Sequence, residues 1–475
     1  MILMSVIIVV GINCLLGYSL VRCFFEDAFK KIEPISRWVL IYLLGQLLGS
    51  MTYWIWLLVG LHAYGTWILL DVLVIGSLLL AARRHHMSSV MPTLSASSLN
   101  PQQVVTWLLM GVLSLLMVWC LKWHVAKMPY GAWDAAAMWN FRVSYIALPY
   151  EQWTNIFKST SPHPDYPLMH SISAARFCAL TGAWQPAVTA WFGVGHAIAV
   201  LLLLVGTVMQ RVGIWIAILG AMLLCASDIW WEYTTWQYAD ITLSTYMFAC
   251  VVLICHWFFR IDSDRHALLY AAMLLLGTCA WTKNEGWPWV FGVGLLILLC
   301  VCFKSFPNQS RLLLQSAGCL ALVLWMPLSV HLMSGQTNDM VKGVVSDGLF
   351  DRLMDAQRLE MIASFYWLYL NALYPWGIAL LLLGVCLLSR YSRQASRSCV
   401  GWLVLLLFLG QLSVYLLTFL MTYHDLKWHL HTAGDRLFNQ IWPLWILGTC
   451  LLAGCEKSAS TQDNPNAALQ TAELD

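Results

Sequence analysis

Charge is scarce in this chain. Lys, Arg, Asp and Glu make up 11% of its 475 residues and nearly cancel, to a net of +2. That excludes a nucleic-acid surface, which needs dense, clustered Lys and Arg. A Gly-rich phosphate loop, a Gly-x-Ser-x-Gly elbow and a His-Glu-x-x-His metalloprotease pair are all missing. A cytoplasmic mechanism that consumes nucleotide therefore has no support. The 15 cysteines are odd in number and scattered through apolar stretches (Cys14, Cys225, Cys250, Cys255, Cys300, Cys302, Cys319), with neither a disulfide framework nor zinc spacing. They read as small apolar filler. Residues 1–21 lack a basic leader and a small-residue cleavage site, so they read as a retained first helix. No internal repeat is visible.

What remains is 60% hydrophobic, which places the chain among all-α polytopic membrane proteins. Apolar stretches of about 17–25 residues fall at 1–20, 38–60, 65–82, 104–124, 188–209, 212–228, 239–259, 267–281, 287–303, 312–333, 362–388, 400–422 and 440–455. About thirteen transmembrane helices are expected, the shortest of them tilted or partly embedded. The 27 Trp fit two readings: an aromatic belt at helix ends, or a sugar- or lipid-binding surface near the polar clusters.

Basic residues set the expected orientation. The connections 21–37, 83–103, 210–211, 260–266, 304–311 and 389–399 carry fourteen Lys and Arg, whereas the opposite set, roughly twice as long, carries ten. The first set is read as cytoplasmic. The N-terminus then lies outside and the C-terminus inside.

Four regions follow. Residues 1–103 hold three extra helices. Residues 104–333 form a module with a large outer loop, 125–187, which prolines break into short interfacial pieces. Residues 334–455 hold a charged outer loop, 334–361, and the last helices. Residues 456–475 are a polar, disordered tail.

Five polar clusters interrupt the apolar chain, and this topology puts all of them on the outer side. Asp134, flanked by Trp133 and Trp139, suits a general base or a metal ligand, or else a helix-start carboxylate favoured by the dipole. With Asn140 and Arg142 it falls on residues 132–146, expected as one amphipathic interfacial helix with Asp134 and Arg142 two turns apart. In His163-Pro164-Asp165-Tyr166-Pro167 the two prolines present His163 and Asp165 rigidly; the bland reading is an ordinary turn. Asp240 opens an apolar helix as a cap or as a site carboxylate, with Asp228 and Glu232 near enough in sequence to share a cation or a hydrogen-bond site. Lys283 and Glu285 fill a short hairpin, where Lys283 meets an anion such as a lipid phosphate, reaches to water, or is neutralised by Glu285. Arg436 offers a bidentate fork for phosphate. His429 and His431 would add donors, although their spacing is a weak metal signal.

At these residues the chain resembles the integral-membrane glycosyltransferases of the GT-C fold. The likeness is to the bacterial group that includes lipid A aminoarabinose transferases and protein O-mannosyltransferase-like enzymes. It is carried by Asp134 in the first large outer loop of the module, the His163–Pro167 segment at that loop's end, and Tyr238-Ala239-Asp240 at a later helix start. Thr282–Gly286 in a hairpin, and Asp435-Arg436-Leu437 followed by Pro443, support it. It covers roughly 104–333 plus the final loop and helix, and rests on the order and common sidedness of motifs that are individually weak.

The resemblance implies a polyprenyl-phosphate-linked sugar as donor and an extracytoplasmic glycan, lipid or protein as acceptor, with transfer by inversion. Asp134 would be base or metal ligand, and Lys283 and Arg436 the donor-phosphate contacts. Trp133, Trp139, Asn140, Arg142, His163, Asp165, Tyr166, Asp240, Glu285, His429 and His431 would line the cavity. A divalent cation, Mg or Mn, on Asp134 and Asp240 is the one cofactor this admits. There are departures. Many relatives have two adjacent acids where this chain has Asp134-Ala135. The aminoarabinose enzymes have Lys before a Pro pair where this chain has Asp165-Tyr166-Pro167. Three additional helices precede the key loop. The alternatives are a lipid-linked sugar transporter or flippase, which usually shows repeated halves and midplane charges, and a similar oligosaccharide ligase or polymerase.

Overall fold

The computed structural model describes residues 2–60, 65–86, 101–147, 151–158, 161–260, 262–303, 308–336, 341, 344–345, 348–373 and 399–453. The expected tail 456–475, most of the 83–103 and 389–399 connections, the second half of span 362–388 and parts of loop 334–361 lie outside the described residues. Among these residues every regular element is a helix. In order they are α1 (Ile2–Phe24), α2 (Glu26–Lys30), α3 (Pro34–Val59), α4 (Trp67–His86), α5 (Pro101–Lys127), α6 (Asn140–Ala147) and α7 (Met169–Ala179). Then come α8 (Pro186–Arg211), α9 (Ile214–Cys225), α10 (Asp228–Thr235), α11 (Ala239–Phe259), α12 (His266–Thr282), α13 (Gly286–Phe303) and α14 (Gln309–Ser334). The last are α15 (Leu349–Met354), α16 (Ala356–Leu373), α17 (Cys399–Met421), α18 (Leu426–His429) and α19 (Asp435–Ala453).

Local chemistry sets the ends. Glu33 accepts a hydrogen bond from the Ser36 amide at 2.9 Å with Pro34 at the first helical position, and Gly60 closes α3 in the left-handed region (φ 77°). Ser227 caps α10 through the Trp230 amide at 3.2 Å, where the chain turns 65° from α9.

Eight helices among the described residues are long and apolar enough to cross a membrane, or nine if the bent α9–α10 pair counts as one span. The expected segments fall on helices where they are described, but four of those helices, α4, α12, α16 and α19, are not among these nine: α12 is only 17 residues long, α19 opens on Asp435 and Arg436, and α16 runs out of the described residues. Helix α11 is the centre, buried without interruption from Ala239 to Trp257 and packed against α8, α12 and α19. Helices α13, α14 and α17 instead leave Phe291, Leu295, Leu332, Trp402 and Leu406 exposed, the outward apolar face of a lipid-facing layer.

The three leading helices are bolted to the module by a buried ion pair. Arg176 of α7 meets Asp71 of α4 at 2.6 Å and donates to Asn13 Oδ1 of α1 at 2.7 Å, over the Trp67 ring. Asp71 also accepts the Thr52 hydroxyl at 2.5 Å. Gly49 of α3 passes flat against the guanidinium, where any Cβ would overlap it. Helix α7 follows directly on the His163–Pro167 turn, so this clamp fixes the segment that carries the turn.

Candidate functional site

Asp134 reaches its place through backbone and amide ties. The Ala132 amide donates to the Trp236 carbonyl at 3.2 Å, and the Asp134 amide to the Tyr238 hydroxyl at 3.4 Å. Gln237, held at φ 62°, accepts from Asn140 at 2.8 Å and from Thr189 at 2.6 Å, and donates to the Pro129 carbonyl at 3.0 Å. Asn140, expected to line the cavity, is thus a buried fastener. It holds the start of the outer loop onto the α10–α11 junction, which brings Asp134 beside Asp240.

From there the charges alternate. Arg436, in the first turn of α19, bonds Asp134 Oδ2 through Nη1 and Asp240 Oδ2 through Nη2, the latter at 3.3 Å. Lys283, in extended backbone after α12, bonds Asp240 at 3.0 Å and Glu285 at 2.7 Å. The chain Asp134–Arg436–Asp240–Lys283–Glu285 holds three carboxylates and two cations, 2 − 3 = −1 in formal charge. Gln440 donates to Asp240 Oδ1 at 2.5 Å and accepts the Tyr415 hydroxyl at 2.6 Å. The Tyr238 ring lies 4.5 Å from the Arg436 guanidinium. Burial alone would lower the Arg436 pKa, but Asp240 and Asp134 reverse that and hold it above its ordinary value. The chain is deepest at its middle and most open at the Asp134 end: the Asp240 side chain is 2% exposed, Lys283 4%, Arg436 13%, Glu285 16% and Asp134 25%. Trp133, 80% exposed, stands at the open end.

A second set holds the turn. Arg142 donates to the carbonyls of Pro162 and Tyr166, each at 3.2 Å, and to that of His163, which sits at φ 44°. Asn284 donates to Asp165 at 3.1 Å, tying the turn to the hairpin that carries Lys283. Trp139 meets Tyr166 and His170 edge-on. Burial pulls the Arg142 guanidinium down to about 10, against the opposing pull of Asp165 and Tyr166. Two nitrogens of one planar guanidinium reach the three carbonyls, a spread that the single nitrogen of an ammonium does not match. Arg142→Lys is therefore expected to cost about 2 kcal/mol of local stability, read as faster proteolysis around residues 162–166; unchanged cleavage would contradict the clamp.

Several expectations are corrected. Residues 133–147 are helical throughout, with a wide helical turn at Ala135–Trp139 leading into α6, but they do not form an amphipathic surface helix: Asn140 and Arg142 point to polar partners inside the protein, and the Trp139 ring is buried against Tyr166 and His170. Arg142 shares no polar face with Asp134. His429 bonds Thr422 at 2.9 Å and packs on the Phe419 ring, and exposed His431 bonds the Lys427 carbonyl at 2.7 Å and packs on the Phe365 ring. Asp228 and Glu232 are exposed while Asp240 is buried, so they form no common site with it. His163 is exposed at the turn's apex, and Asp165 is buried beneath it.

The metal reading does not fit. No group of three or more His, Cys, Asp or Glu among the described residues is placed to hold an ion, and the space between Asp134 and Asp240 is filled by the Arg436 fork. The residues that sequence reasoning passed over are Gln440, Tyr415 and Gln237, which look like ordinary helix-end polar residues, and Asp71 with Arg176. Those last two carried a signal, an ion inside an apolar run.

The chain matches no family model, no curated protein and no solved structure in comparisons with each.

Proposed function

We propose that this protein is a glycosyltransferase of the GT-C type that moves a sugar from a polyprenyl-phosphate donor to an acceptor outside the cytoplasm, with inversion. The topology that belongs to this reading has about thirteen crossings, an external N-terminus and an extracytoplasmic site in a bacterial plasma membrane. The observation that carries it is the alternating charge chain, assembled from four separate segments at one end of the apolar bundle. A chain that only crossed lipid would have no use for five ionisable groups sequestered there.

In this reading Lys283 and Arg436 hold the donor phosphate. The Asp134 carboxylate takes the proton of the acceptor hydroxyl as its oxygen attacks the anomeric carbon. The bond from that carbon to the phosphate oxygen breaks, its electron pair goes to the departing polyprenyl phosphate, and the two cations stabilise the charge that develops. Asp240, held by Gln440, keeps both cations in register. A single displacement inverts the anomeric centre. No step requires a metal.

The test is to incubate the purified protein in lipid nanodiscs with polyprenyl-phosphate sugars labelled in the sugar, together with an envelope lipid and glycan extract. Release of free polyprenyl phosphate coupled to labelled acceptor is expected. Movement of intact lipid across proteoliposomes with no release would assign transport instead and overturn the enzymatic reading.

A further inference from the structure

The site as folded is closed on itself. Both cations that the proposed function gives to a phosphate are already bonded to carboxylates, and the base it needs is bonded to one of those cations. Arg436 holds Asp134 with one nitrogen and Asp240 with the other. The Asp134 Oδ2 that would take an acceptor's proton is occupied by the guanidinium.

We propose that the Asp134–Arg436 contact is an autoinhibitory latch that the donor's phosphate opens, so that the base is released only when the leaving group is in place. This deepens the proposed function and rests on it. The asymmetry of the chain says which bond gives way. Asp240 is enclosed and takes three donors, from Arg436, Lys283 and Gln440. Asp134 is the part-exposed outer partner, and Arg436 is its one ion-pair partner among the described residues. A phosphate arriving from the open side meets the Nη1 edge of Arg436 first and competes there with a single carboxylate. Its diester phosphate brings one negative charge and two unesterified oxygens that match the bidentate edge, and gains a second charge only as the sugar departs. Substitution at Nη1 leaves the Asp240–Lys283–Glu285 half of the chain intact. It also leaves Asp134 beside the anomeric carbon, without its cation. Premature reaction of the base with water or with an acceptor alone is thereby suppressed.

The consequence is counterintuitive, because removing the proposed base improves donor binding. Full-length protein in nanodiscs is titrated with farnesyl phosphate, inorganic phosphate and farnesol, with binding followed by ligand-induced thermal stabilisation. Asp134→Asn and Asp134→Ala are each expected to bind farnesyl phosphate about tenfold more tightly than the unsubstituted protein, and farnesol no better. Tighter inorganic phosphate in the same variants shows that the latch reads phosphate alone; unchanged inorganic phosphate shows that it reads a lipid-anchored head group. Either outcome keeps the latch. Equal or weaker farnesyl phosphate binding in both variants overturns it, while leaving Asp134 free to serve as an unlatched base. Arg436→Gln is expected to lose at least about tenfold in farnesyl phosphate affinity. Unchanged affinity in that variant overturns the phosphate assignment itself, and with it the proposed function's donor site.

Discussion

Asp134→Asn removes sugar transfer by about 10²–10⁴-fold, the range a positioned general base contributes, in a protein that still folds and inserts. The fold should survive because Asp134 is a rim residue. Its amide tie to Tyr238 and the neighbouring ties through Ala132 and Asn140 do not involve its carboxylate. Asn also keeps the shape and leaves a weaker acceptor for Arg436. The loss should therefore appear in the rate of the chemical step, with donor affinity undiminished. Turnover of a labelled polyprenyl-phosphate sugar, beside a thermal unfolding curve, separates the two. A variant with normal turnover removes Asp134 from the mechanism.

The second large effect is on stability. Arg176→Ala is expected to cost about 3–5 kcal/mol, because it strands Asp71 in the bundle with the Thr52 hydroxyl as its remaining hydrogen-bond partner. Replacing both members, Asp71→Leu with Arg176→Met, removes the stranded charge and should recover most of that loss. The measurement is the unfolding midpoint in detergent for the two single variants and the pair. If the double variant is as unstable as the sum of the singles, the pair is not a mutually compensating ion pair. Because α7 follows the His163–Pro167 turn, the single variants should also loosen that turn.

These two predictions mark what could be read from residues alone. In a chain with so little charge, Asp134, Asp240, Lys283, Glu285 and Arg436 stand out individually, and helix-length apolar runs place each at a helix end. Their pairing was not legible, since it depends on α11, α12 and α19 converging on one end of the bundle. The neutral members were invisible for a different reason. Gln440 matters only because its amide meets Asp240, and Asn140 only because Gln237 takes a left-handed backbone. Arg142 misled because an Arg near a helix end reads as a surface cation. Here three backbone carbonyls around a non-glycine residue at positive φ supply the acceptors that make its burial tolerable. Asp71 was legible and passed over: an acid between Leu70 and Val72 in an apolar run marks a buried partner.

Among the described residues eight helices, or nine with the bent pair, have the length and composition of a span, against the thirteen expected. Apolar composition identifies helices but not whether each reaches across a bilayer. A 17-residue α12 is about 25 Å long at 1.5 Å per residue and sits inside the bundle, where protein rather than lipid surrounds it. An apolar helix buried in protein and one buried in lipid look alike in sequence.

The most direct measurement is an electron cryomicroscopy map of the protein in nanodiscs with a bound polyprenyl phosphate. The account predicts phosphate density within hydrogen-bonding distance of Lys283 Nζ and the Arg436 guanidinium, with Arg436 still on Asp240 and no longer on Asp134. Phosphate bound elsewhere, with the Asp134–Arg436–Asp240–Lys283–Glu285 chain unbroken, would contradict it.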